Sequence, residues 1–233
     1  MSIITSLSAI GLAALIHASF QLSVSMLTLL SGHAIGKKRA HHRLMRLTTS
    51  FLIGATLMSL LLVTFFAYFI SAAFGTIDSS WPWVVACSLM LFVAVLVWVV
   101  YYRRKTGTQL WIPRVMADFL NKRVKSTKDS SEAFSLGVTS VIAELIFLAA
   151  PLFVSGLIIS QLDPGWQLAG IALYTLLSVS SLALVWAIIG GGHSLSRIQK
   201  WRESNKYFLQ FAAGTGLIIL AAFTYANFVI GVF

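Results

Sequence analysis

Six stretches of this 233-residue chain are long and apolar enough to cross a bilayer, and polar connections separate them. They run over about 3–30, 48–74, 81–102, 134–160, 165–189 and 208–232. A helix needs about 20 mostly apolar residues to pass a hydrocarbon core about 30 Å thick. Runs such as Val84 to Val100 do not alternate apolar with polar residues, so barrel strands are excluded there. The pattern predicts an all-α, polytopic membrane protein of six transmembrane helices, forming one domain over residues 1–233. Composition agrees: 58% of residues are hydrophobic and only 10% charged, against about 25% charged in a typical soluble domain. A water-soluble globule and a disordered chain are both excluded on that basis. The first stretch lacks a basic leader and exceeds a signal-peptide core of about 7–15 residues, so it reads as a retained span.

The charges set an orientation. All 17 Lys and Arg residues fall in the connections after helices 1, 3 and 5. The connections after helices 2 and 4 hold only the acids Asp78 and Asp163. By the positive-inside rule the basic loops are cytoplasmic and both termini lie outside, N-out/C-out. Trp81, Trp83 and Trp166 fall at the expected outer interface. The setting implied is a bacterial-type inner or plasma membrane. The net charge of +10 does not point to nucleic acid, because so few charges are spread through so much apolar sequence.

The long connection between helices 3 and 4 contains an amphipathic segment, 110–125. Trp111, Ile112, Val115, Met116, Phe119 and Leu120 recur at helical spacing. The expected arrangement is a helix in the inner headgroup layer, with Arg114, Lys122 and Lys125 toward anionic lipid headgroups. The competing arrangement is a helix docked on the protein itself.

Weak internal echoes appear. Gly32-His33 precedes Gly54 by the spacing at which Gly192-His193 precedes Gly214. Ser31-Gly32 in helix 1 matches Ser155-Gly156 in helix 4, which runs the opposite way. The second match is compatible with an inverted repeat of three plus three helices.

Two ionisable side chains fall deep within predicted spans, His17 in helix 1 and Glu144 in helix 4. An ionised group at that depth costs at least about 2.5–3.5 kcal/mol on insertion scales, so each should be neutral, paired or facing water. Gln21 lies one turn from His17, and helix 5 carries a stripe of Gly170, Tyr174, Ser178 and Ser181. These residues suggest a substrate pathway lined by His17, Gln21, Glu144, Tyr174 and Ser178. Pro151 is the expected hinge of helix 4, since proline frees a backbone carbonyl. Helix packing is the competing explanation for the hydroxyl stripe. His33, His41, His42 and His193 form no recognisable metal motif, so metal ligation by them is the lesser reading and no cofactor is expected. The single cysteine, Cys87, reads as a small apolar residue. Neither a nucleophile elbow nor a phosphate loop is present, which argues against an enzyme.

The layout resembles the lysine exporter superfamily, small transporters with six helices in two inverted halves. Chain length, the long helix 3–4 connection and the run Leu195-Ser196-Arg197-Ile198-Gln199-Lys200-Trp201, followed by Phe211-Ala212-Ala213-Gly214-Thr215-Gly216-Leu217, carry the resemblance. The chain departs from the thiol-transporting branch in having no cysteine in helices 1 and 4. It departs from the amino-acid branch in reading Ser31-Gly32-His33 where that branch has Gly-Pro. The resemblance implies an exporter of a small solute.

The expected function is therefore a secondary transporter, an exporter of a small polar solute or cation, with proton coupling through Glu144. The alternative is a non-transporting scaffold or assembly factor with a basic cytoplasmic face. A third reading is a lipid-interacting protein working through residues 110–125. The expected partners are the bilayer, its anionic headgroups and the solute, and a homo-oligomer is compatible with all three readings.

Overall fold

A computed structural model of the chain describes residues 2–20, 22–33, 38–75, 79–100, 114–191 and 195–231. Among these, every regular element is helical. In chain order they are α1 (Ile3–Ser19), α2 (Leu22–His33), α3 (Lys38–Phe74), α4 (Trp81–Val100), α5 (Arg114–Ser126) and α6 (Ser130–Ala143). There follow α7 (Leu145–Ser160), α8 (Pro164–Ser178), α9 (Ser180–Gly190), α10 (Leu195–Ser204) and α11 (Lys206–Thr224). The last continues as a π-helical turn, Tyr225–Ile230, and stops at Gly231, whose φ of 72° suits glycine.

Three helices are long and apolar enough to cross a membrane: His41–Phe74, Trp81–Val99 and Lys206–Ile230. The other apolar stretches are bent pairs, which bring the number to six if each pair counts as one crossing. The bends are 44° between α1 and α2, 76° between α6 and α7, and 47° between α8 and α9. Six spanning helices were expected, with a hinge in the fourth; three of the six stretches are bent pairs instead. The outer faces are apolar: Leu61, Phe65 and Phe69 on α3, Phe92 and Val95 on α4, and Phe208 and Phe211 on α11 are all exposed. Such a large apolar exterior is compatible with a lipid surround and would be an association site in water.

The second helix begins at Lys38, ten residues before the predicted start at 48. Hydropathy alone sees no span in the basic run before 48, yet Arg43 and Arg46 sit on exposed positions of a continuous helix. At 37 residues, α3 is roughly 55 Å long by the usual rise per residue, well beyond an apolar core of about 30 Å. Its basic first turns therefore extend past the apolar bundle.

Glycines let α3 approach its neighbours closely. A Cβ on Gly54 would collide with the Phe134 carbonyl of α6, and one on Gly137 would collide with the Phe51 carbonyl of α3. Gly156 of α7 faces Ile70 and the Phe66 backbone of α3 in the same way. Small residues at a crossing bring two backbones together, which gives apolar helices dispersion contacts and little else is needed to hold them. Elsewhere, Gln210 of α11 is buried and donates from Nε2 to the carbonyls of Val97 (2.6 Å) and Trp98 (2.7 Å). Those carbonyls belong to the last described turn of α4.

The helices α5 and α10 lie at the end of the bundle that carries the basic segments, and both touch α2. Arg43 donates to the carbonyl of Lys128 at 3.3 Å, tying the start of α3 to the segment before α6. On α5, Leu120 and Val124 are buried against the protein, whereas Phe119, Lys122 and Lys125 are exposed. The apolar stripe of the 110–125 segment is thus partly docked on the protein. Residues 110–113 lie outside the described residues, and the side chain of Arg114 is not among those described.

Candidate functional site

Each of the three bends is a place where the backbone ladder is interrupted, and local groups satisfy the exposed ends. Phe20 is extended (φ −72°, ψ 142°), and its N–H turns back to the His17 carbonyl at 3.1 Å. Ser19 Oγ donates to the Ile16 carbonyl at 2.6 Å. At Glu144 the N–H reaches Val141 O at 3.1 Å, a tightened turn, before α7 starts in a new direction. At the third bend, Ser178 Oγ donates to the Thr175 carbonyl at 3.0 Å. Serines at helix ends take up carbonyls that have lost their backbone donors.

The bends meet. A cavity of about 20 Å³ is lined by His17 and Phe20 from the first, Val141 and Glu144 from the second, and Ser178 and Val179 from the third. Ser23, Ala55, Ser59 and Ser181 complete much of its wall. That volume holds about one water molecule. Phe20 and Phe147 pack ring to ring, 5.9 Å between centroids, and brace the first bend against the second.

Glu144 is the acid of the site and is 3% exposed. Its Oε1 accepts the Leu22 N–H at 2.6 Å. Leu22 opens α2, so the carboxylate sits at the positive end of that helix, where a negative charge is favoured. Ser23 Oγ lies 3.5 Å from Oε2 and 3.1 Å from Ser140 Oγ. Three residues into α2, Ser25 Oγ accepts from Arg202 of α10 at 2.7 Å. Arg202 is 2% exposed, while Lys200, Trp201, Glu203 and Ser204 around it are exposed. The first turn of α2 thus touches a buried acid on one side and a buried base on the other.

His17 is buried, and its Nδ1 lies 3.0 Å from the hydroxyl of the fully buried Tyr174. The His17 hydrogen bond therefore goes to Tyr174 rather than to Glu144, while both residues border one cavity. Ser178 lies one turn beyond Tyr174 on the same buried face of α8. Sequence reasoning brought His17, Glu144, Tyr174 and Ser178 together, and the structure does place them around or beside one cavity.

Other expectations fare differently. Gln21 lies outside the described residues. The bend expected at Pro151 falls at Glu144, and Pro151 sits buried inside α7. The reason is local: the lost donor of Pro151 frees one carbonyl within a packed helix, whereas at Glu144 the whole ladder stops. His41 and His42 are exposed, His193 lies outside the described residues, and the His33 side chain is not among those described. Among the described residues no group of three His, Cys, Asp or Glu is placed to hold a metal ion. Cys87 is buried, with Sγ 3.5 Å from the Ala221 carbonyl. Ser23, Ser59, Ser140 and Arg202 were not anticipated. Serine is too common in apolar helices to stand out, and Arg202 reads as one more loop charge.

No protein-family model, no curated protein and no solved structure matches this chain. Its class must be argued from the fold and the site alone.

Proposed function

We propose that this protein is an integral membrane secondary transporter, an exporter of a small polar solute or cation, with Glu144 as the proton-exchanging group. One observation carries the proposal: three broken helices converge on a small polar cavity that contains a buried carboxylate. Broken helices at mid-depth are how many transporters build binding sites, because freed backbone groups and helix ends supply polarity where side chains alone are costly. A packing role would not need three interrupted ladders at one point. The cavity is too small for a polyatomic solute, so passage requires the half-helices to move about their breaks. Proton exchange at Glu144 supplies a lever, since the carboxyl bonds the Leu22 N–H that opens α2 and so links the two breaks.

Further support comes from the arrangement of the two halves. The first apolar stretch of each half is a broken pair, α1–α2 and α6–α7, as an inverted repeat requires. The match is partial, because α8–α9 is broken and α3 is continuous. The basic segments gather at one end, which under the positive-inside rule faces the cytoplasm. The resemblance to the lysine exporter superfamily points to the same class.

Site-directed labelling tests the pathway. In a Cys87→Ala background, Ser59→Cys is exposed to a membrane-impermeant thiol reagent applied to either side of sealed vesicles. Labelling from one side or the other, shifting with pH, supports a gated pathway. A thiol that stays unlabelled from both sides at every pH supports the scaffold alternative.

A further inference from the structure

We propose that the cavity at the three breaks binds a single alkali-metal cation, through Glu144, Ser23, Ser59 and Ser178. The role of the ion in transport rests on the functional reading above, but its binding does not.

The wall of the cavity is rich in acceptors. Glu144 brings a carboxylate whose Oε1 already takes the Leu22 N–H, and whose Oε2 faces Ser23. Ser178 has committed its hydroxyl proton to the Thr175 carbonyl, so its lone pairs are what remain to offer. Ser140, just behind Ser23, has committed its own to the Gly137 carbonyl. Each break brings the carboxyl end of one half-helix (α1, α6, α8) and the amino end of the next (α2, α7, α9) to this spot, so carbonyls freed from the backbone ladder as well as N–H groups border it. In transporters such ends, together with broken backbone, are where sodium ions and protons are held.

Ser59 is the independent pointer. It is 1% exposed, it lines the cavity from the continuous helix α3, and its Oγ has no hydrogen-bond partner. Hydroxyls buried in helices usually bond back to their own backbone, as Thr48 and Thr56 do on this same helix. A buried polar atom left over in a native fold calls for an unseen partner.

Size and charge narrow the partner. About 20 Å³ gives room for about one water-sized particle, which is the size of a dehydrated alkali cation. Among the described residues Glu144 is the one carboxylate lining the cavity, which suits a monovalent rather than a divalent cation. Among the described residues there is no cluster of His, Cys, Asp and Glu for a transition metal. Oxygen ligands suit a hard cation. Among the described residues, the titratable or charged neighbours are His17 on α1, Tyr174 behind it on α8, and Arg202 of α10 at Ser25 on the first turn of α2; α3 and α9 present Ala55, Ser59, Ser181 and Leu182, which are uncharged. When the cation enters a protonated site, Glu144–COOH plus Na⁺ becomes Glu144–COO⁻·Na⁺ plus H⁺. The ion and the proton therefore compete.

The test uses the purified full-length protein in detergent at mildly alkaline pH and constant ionic strength. Binding of radioactive sodium is measured, and thermal unfolding is followed in sodium, potassium and N-methylglucamine chlorides. The expected result is saturable sodium binding, weaker as the pH falls, with stabilisation by an alkali cation and none by N-methylglucamine. Glu144→Gln should abolish binding, and Ser59→Ala should weaken it about tenfold through loss of one ligand. Because the Ser59 hydroxyl bonds to nothing, Ser59→Ala should unfold no earlier than wild type without sodium, which separates a lost ligand from a damaged fold. Absence of saturable sodium binding, an equal response to N-methylglucamine, or wild-type affinity in Ser59→Ala would each overturn the proposal. Proton-coupled flux of another solute without sodium binding overturns this inference and leaves the transporter reading standing. Sodium binding with no flux supports the site and contradicts that reading.

Discussion

The backbone N–H of Leu22 donates to Glu144 Oε1 at 2.6 Å, so the residue that breaks one helix pair caps the half-helix that follows the break in another. The two residues are 122 positions apart in the chain. Neither break is therefore independent of the other. The same first turn of α2 is held on its other side by Arg202 through Ser25.

The cap should be measurable as stability. Glu144→Ala leaves the Leu22 N–H buried without its acceptor, a loss of about 1–3 kcal/mol. Glu144→Gln keeps a carbonyl oxygen in place and should recover part of that loss. Reversible unfolding in mixed detergent, compared across the two variants, checks the order. Equal loss in both would show that charge rather than the hydrogen bond holds the junction.

The His17–Tyr174 contact predicts a smaller effect. Tyr174→Phe removes only the hydroxyl that faces His17 Nδ1. Hydrogen bonds between membrane helices average about 0.6 kcal/mol, so the variant should lose about that much. His17→Ala combined with Tyr174→Phe should lose less than the sum of the single changes. Additive losses would mean that the two side chains do not act as a pair.

The close crossing of α3 and α6 predicts sharp glycine effects. Gly54→Ala and Gly137→Ala each drive a methyl group into the partner's backbone, which overpacking data put at about 1–3 kcal/mol. Gly165, near the start of α8, meets nothing within 4 Å, so Gly165→Ala should be neutral or slightly stabilising. Thermal unfolding of the three variants distinguishes this crossing from a loose one.

A pH effect is expected at the start of α6. Glu132 accepts the N–H of Lys128 at 2.7 Å and of Asp129 at 3.4 Å. These backbone hydrogen bonds, with the positive charges of Arg123 and Lys128 nearby, hold its carboxyl below the ordinary 4.5. The stabilisation it brings is complete above about 4.5 and disappears as pH falls through the lowered native value. Glu132→Ala should therefore be less stable than wild type at neutral pH, with the gap closing in acid below that window. A gap that persists there would assign the effect to packing.

Much of the architecture is written in hydropathy, because a chain cannot hide runs such as Val84 to Val100. The breaks are less legible. Val179 lies in an unremarkable apolar stretch with a serine on either side, and nothing local to it marks a bend. Pro151 drew attention from Glu144 because proline has a known local effect, whereas a glutamate ends a helix only when something distant, here the Leu22 N–H, rewards its position. His17, Glu144, Tyr174 and Ser178 were recognisable because ionisable or aligned polar groups are costly in an apolar segment. Ser59 and Arg202 were not, since one resembles any packing serine and the other any loop arginine. Their depth is a property of the assembled fold. The start of α3 at Lys38 was missed for the same kind of reason, because a helix that runs out of the apolar bundle leaves no hydropathy signal.

The most direct test is proton movement. Proteoliposomes that carry the reconstituted protein and an internal pH-sensitive dye are given a pH gradient, then offered sodium, potassium or individual amino acids. The account predicts that at least one of these drives dye-reported proton flux in wild type, and that Glu144→Gln, folded and inserted to the same extent, abolishes it. Flux through Glu144→Gln at the wild-type rate would contradict it.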